Sequence, residues 1–126
     1  MFSHVMVGSN DLDAAQKFYD ATFAALGGKP GFRDPGGRII YSHKGAMFMV
    51  TTPIDGEPAC HANGGTIGFA MESEEQAKAW HDAGVAAGGT TCEGAPGLRE
   101  MPFGKLYLAY LRDPDGNKLC ALKGVG

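Results

Sequence analysis

One order of elements is written twice along this chain, and that duplication restricts the fold more than any single motif does. Phe2 to Val7 reads as a strand and Asp11 to Leu26 as a helix, with Asp11 suited to the N-cap, Asp13 in the first turn and Gly27-Gly28 as the stop. A turn at Asp34-Pro35-Gly36-Gly37 follows, then a strand from Arg38 to Ser42, a tight turn at Lys44-Gly45 and a strand from Ala46 to Thr52. After a Gly/Pro-containing connector, Pro53 to Gly65, the order restarts. Thr66 to Met71 is a strand, and Ser73-Glu74-Glu75-Gln76 is a capping-box signature opening a helix that runs to Ala87 and stops at Gly88-Gly89. Lys105 to Arg112 is a strand, Asp113-Pro114-Asp115-Gly116 a turn and Asn117 to Leu122 the last strand. The remaining strand of each unit is expected near Gly31–Phe32 and near Cys92–Leu98, where alternation is weak.

Superposing the halves places Phe18-Tyr19-Asp20-Ala21 on Trp80-His81-Asp82-Ala83 and His4 on Thr66. Around the second hairpin Gly45 falls on Gly116 and Met49 on Cys120, the slip in register being absorbed by loops. The expected fold is therefore α+β: two βαβββ modules forming curved mixed sheets around a central cavity. One domain spans residues 1–126, with module 1 over 1–52, a connector over 53–65 and module 2 over 66–126.

Strand alternation assigns faces. Val5 and Val7 suit the helix side of the first strand, which sends His4 and Met6 to the other face; Ile67, Phe69 and Met71 likewise leave Thr66, Gly68 and Ala70 opposite. Met47, Met49 and Thr51 share a face, as do Lys118, Cys120 and Leu122. If the sheets curl around a hollow, His4, Met49, Thr66 and Cys120 converge in it, and Gly68 leaves room.

Composition excludes several classes of function. A net charge of −3 gives no basic footprint for nucleic acid or an anionic membrane. The longest apolar run, Ala46 to Val50, is far short of the ~20 residues of a membrane span, and the N-terminus carries no secretory pattern. Three widely spaced cysteines, Cys60, Cys92 and Cys120, make no C-x-x-C pair, so reduced thiols in the cytoplasm are expected.

Three features resemble the vicinal oxygen chelate superfamily, which includes glyoxalase I, extradiol dioxygenases and bleomycin-binding proteins. They are His4 before Val5-x-Val7 with Asp11-Leu12 and Phe18-Tyr19 beyond; the duplicated unit; and Arg112-Asp113-Pro114-Asp115-Gly116-Asn117 before the last strand. The resemblance covers essentially the whole chain and implies a homodimer. It also implies a divalent metal held by His or Glu at four positions, which here are His4, Met49, Thr66 and Cys120. Only His4 is a ligand of the family's usual type; Cys120 stands in the place of a Glu and Thr66 in that of a second His. One His and one thiol do not complete a catalytic zinc set. His61, in the connector, could extend His4 and Cys120 to a soft zinc triad.

Other residues carry weaker expectations. Cys120 with His4 as base could do thiol chemistry if its pKa were lowered. Tyr110 could offer a hydroxyl to a ligand, and Arg99, placed in a loop at a pocket mouth, could pair with a carboxylate. His43 is expected to be exposed and His81 to belong to helix packing. Glu74 and Glu75 suit the helix dipole, and Asp113 and Asp115 a turn. Two functions remain open. One is a small-molecule binding module with a degraded metal site, using Met6, Met49, Thr66, Gly68, Tyr110 and Arg99. The other is a metal-dependent lyase or dioxygenase built on His4 with non-standard ligands. No cofactor is specified by the residues beyond a possible zinc.

Overall fold

A computed structural model describes all 126 residues. The first module runs β1 (His4–Gly8), α1 (Leu12–Ala25), β2 (Phe32–Arg33), β3 (Ile39–His43) and β4 (Ala46–Thr51). The second runs β5 (Ile67–Ala70), α2 (Glu74–Ala86), β6 (Thr90–Thr91), β7 (Gly97–Met101), β8 (Gly104–Arg112) and β9 (Lys118–Gly124). The first sheet has the order β1-β4-β3-β2 and the second β5-β9-β8, with β6 and β7 both paired to β8. In each, the opening strand lies parallel to the last one and the other pairings are antiparallel. Two helices and nine strands thus form two mixed sheets and no closed barrel.

Local chemistry starts both helices where the sequence marks them. Asp11 accepts a hydrogen bond from Ala14 N at 3.1 Å, and Ser73 Oγ accepts one from Gln76 N at 3.0 Å. Each such cap contributes about 1 kcal/mol. The reciprocal half of the second cap differs from a capping box: Gln76 Oε1 accepts from Glu72 N, one residue earlier than expected. The apolar face of α1 buries Ala15, Phe18, Tyr19 and Phe23, and α2 buries Ala77 and Trp80. The helices pack on each other as well as on the sheets, so a single core contains residues of both modules. Gly84 makes this approach possible, since a Cβ there would lie 2.4 Å from Leu111 and 3.1 Å from the Phe18 ring.

Two strand assignments are corrected. The missing strand of module 2 is split, with Thr90–Thr91 and Gly97–Met101 flanking the break at residues 92–96. Gly97–Met101 pairs with β8 through a hairpin, so Arg99 stands on a strand and not in a loop. Its guanidinium donates to the carbonyls of Glu93 and Ala95, which hold that break in shape. Thr66 falls one residue before β5, and β9 extends two residues beyond Leu122.

Candidate functional site between the modules

The second hairpin turn ties the modules together at one end of their seam. Asp113 Oδ1 accepts from the backbone N–H of Asp115 and of Asn117, both at 2.9 Å, which is the turn role expected of it. Its other oxygen accepts from the Tyr19 hydroxyl at 2.6 Å and from Asn117 Nδ2 at 2.9 Å. Asn117 Nδ2 also donates to Gly8 O, and Asn10 N donates to Asp115 Oδ1. Asp113 is buried, and desolvation raises its carboxyl above the ordinary value against the hydrogen bonds that lower it. Tyr19 is pushed up for the same first reason, with the Asp113 charge adding to it.

The other end of the seam is built differently. The turn Lys44-Gly45 needs positive φ at both residues, 50° and 80°, and it reaches module 2 through an ion pair between Lys44 and Glu72. Both side chains are about 60% exposed (59% and 61%). Beside this pair lies a cavity of about 330 Å³. Module 1 lines it with Val5, Phe23, Leu26, Tyr41, His43, Lys44 and Ala46–Phe48, and module 2 with Ile67–Ala70. Its aromatic rings stand edge-on or tilted to each other: Phe23 and Phe69 at 5.8 Å and 88°, Phe48 and Phe69 at 5.5 Å and 64°. Tyr41 stacks on Phe23 and gives its hydroxyl to Asp20 Oδ1 at 2.7 Å. Burial, with that bond adding to it, holds the Tyr41 phenol well above its ordinary pKa, so the ring presents a neutral wall.

The face away from the helices carries the residues singled out from the sequence, in two groups. On the first sheet His4 pairs with Met47 and Met6 with Met49. On the second, Gly68, Cys120 and Tyr110 form one cross-strand row. Lys118 Nζ sits 5.1 Å from the Tyr110 ring centroid and pairs with Glu93. Met6 and Thr66 line one recess of about 300 Å³ with Cys60, His61 and Lys118.

The expected convergence of His4, Met49, Thr66 and Cys120 is not found within a single hollow: none of the three cavities is lined by more than one of them. The reason lies in the seam. The modules join through their helix-bearing faces, and a cavity of about 330 Å³ opens there, bordered by Val5, Ile67 and Phe69, which the alternation pattern assigns to the helix side. Nor does the triad of His4, His61 and Cys120 form: no group of three His, Cys, Asp or Glu side chains is arranged to hold a metal ion. A thioether, a hydroxyl and a protonated thiol are poor substitutes for carboxylates toward a hard divalent ion. The residues present therefore do not fit the metal that the fold family implies.

Cys120 also lacks the surroundings of a nucleophile. Burial pushes its thiol up, and Sγ contacts Ala121 O at 3.5 Å, while His4 Nδ1 shares its hydrogen bond with Ser3 Oγ. Arg99 lines none of the cavities. His81 is buried and bonds Thr91 Oγ1 at 2.9 Å, as a packing residue. His43 is half-buried and lines the main cavity, contrary to the expectation of exposure. Phe23, Phe48, Phe69 and His43 were missed as site residues. Their spacing announces burial, and nothing in one sequence says that a buried face borders a void.

The chain belongs to the glyoxalase/bleomycin resistance protein/dioxygenase superfamily, whose family model matches residues 1–121. It is similar, at 59% identity and a TM-score of 0.93, to the crystal structure of a glyoxalase/bleomycin resistance protein from Albidiferax ferrireducens T118, covering 97% of this chain and 98% of that one. A glyoxalase/bleomycin resistance protein/dioxygenase family enzyme from Burkholderia phytofirmans PsJN shares the fold at 19% identity and a TM-score of 0.73, covering 98% of each chain. Lactoylglutathione lyase from Agrobacterium tumefaciens does so at 22% identity and 0.68, covering 98% of this chain and 93% of that one. At such identities only the fold is shared. No curated protein sequence matches the chain. No helix is long and apolar enough to cross a membrane.

Proposed function

We propose that this protein binds a small, mostly apolar molecule in the cavity between its modules, without the divalent-metal chemistry of its enzymatic relatives. The observation that carries this reading is the cavity itself: about 330 Å³ with aromatic walls supplied by both modules. That volume lies at the small end of ligand pockets, and few polar groups among many apolar ones is the lining such pockets have. Ala46 supplies the test. It lines the cavity, shares a strand face with the buried Phe48 and is itself exposed, so Ala46→Leu extends into the open space on that face. Calorimetric titration with a neutral aromatic probe such as 3-phenylpropionamide should show binding to the wild type and at least a tenfold loss in Ala46→Leu, with thermal stability retained. Equal binding by both proteins sinks the reading.

The same reading takes the protein to be a cytoplasmic homodimer. Support comes from three free cysteines, which a reducing compartment preserves, and from apolar side chains left exposed on the outer faces and edges: Met6, Met47, Phe32, Leu98 and Phe103. A sedimentation mass of one chain at micromolar concentration would remove the dimer.

A further inference from the structure

We infer that the seam cavity is built for a small aryl monocarboxylate, its ring held among Phe23, Phe48 and Phe69 and its carboxylate drawn to Lys44. This rests on the reading of the cavity as a ligand site and adds the class of ligand.

Size comes first. A space of about 330 Å³ corresponds to roughly eleven waters at ~30 Å³ each, and so to a ligand of about that many non-hydrogen atoms. Three phenyl rings approach one another at 5.5 to 6.0 Å, none of them parallel, and each leaves part of a face or edge to the void. A fourth ring completes such a box with the tilted and edge-to-face contacts that aromatic pairs prefer. A flexible alkyl chain would fill the volume without those contacts.

Polarity then fixes the other end. Tyr41 has committed its hydroxyl to Asp20, so the remaining polar side chains of the lining are His43 and Lys44, neighbours at the mouth. No acidic residue lines the cavity. Lys44 is paired with Glu72, but both partners are more than half exposed, and an ion pair of that kind contributes little. A ligand carboxylate, brought to Lys44 by the burial of its own ring, exchanges with Glu72 at small cost. One ammonium beside one imidazole suits a single negative charge; a phosphate dianion would call for further donors, which the lining lacks.

Calorimetric titration of the full chain with 3-phenylpropionate and with its neutral amide tests this. The acid should bind about fivefold more tightly than the amide at low salt, and the preference should shrink as salt rises. Lys44→Met should bring the two affinities within about twofold of each other, and Glu72→Gln should tighten the acid alone by about twofold. An acid no tighter than the amide, or a preference that survives Lys44→Met, overturns the carboxylate assignment. In that case amide binding that Ala46→Leu abolishes still supports the cavity. If neither compound binds, both the assignment and the cavity reading fall.

Discussion

The two hairpin turns stand at equivalent places in the two modules, Lys44-Gly45 in one and Asp113 to Gly116 in the other, and they treat the seam in opposite ways. The second is a buried polar clasp: one carboxylate satisfies four donors, among them Tyr19 of the opposite module. The first is an exposed ion pair across an apolar void. Duplication supplied the same scaffold twice, and divergence at two turns made one end of the seam a lock and the other an opening. Stability should therefore concentrate at one end and ligand recognition at the other.

The sharpest way to break that contrast is Asp113→Ala. It strands the Tyr19 hydroxyl, the Asn117 amide and two backbone N–H groups in a buried place. A loss of about 3 kcal/mol is expected by urea denaturation, with a melting temperature lower by roughly ten degrees. A loss under about 1 kcal/mol would mean that the clasp is not a lock.

Tyr19→Phe is the next in size, at about 1.5 kcal/mol near pH 7, and its pH dependence carries a definite sign. Burial raises the folded Asp113 carboxyl above its ordinary value of 3.8. An acid raised on folding contributes stability that is fully present below the unfolded value and is lost as pH climbs through the folded one. The Tyr19 hydrogen bond lowers Asp113, so removing it widens that window upward. Stability of Tyr19→Phe should thus fall more steeply than wild type as pH rises from 3 toward neutrality, and the two should draw together at pH 3. Parallel profiles would show that Tyr19 does not govern the Asp113 proton.

At the opposite end Lys44→Met should alter stability by no more than about 0.5 kcal/mol at any pH from 5 to 8, because the pair it breaks is solvated. The measurement is the same denaturation series. A loss comparable to that of Asp113→Ala would erase the difference between the turns and make the Lys44 end structural as well.

How far the site could be read in advance follows from these same residues. The pattern Asp113-Pro114-Asp115-Gly116-Asn117 announces a turn through local side-chain-to-backbone bonding, and that part is correct. Its long-range partner Tyr19, ninety-four positions away, leaves no local trace. Arg99 looked like loop because Gly97 and Pro102 flank it; pairing with β8 made it strand. Strand parity grouped His4 with Met6 and Gly68 with Cys120, and the pairings set His4 and Met6 opposite Met47 and Met49 and Gly68 opposite Cys120. The same parity sent Phe69 to the helix side, where it also borders the void together with Phe23 and Phe48.

Periodicity, caps and turn residues are properties of short stretches, and so the sequence alone determined the two helices, most of the strands, the duplication and the family. The seam is a different kind of object. Whether two apolar faces close completely or leave a hollow depends on how far apart packing holds them, through contacts such as Gly84 against Phe18 and Tyr19 on Asp113. Volume left between surfaces has no residue of its own to encode it, so only the tertiary structure decided where the cavity lies and which side chains face it.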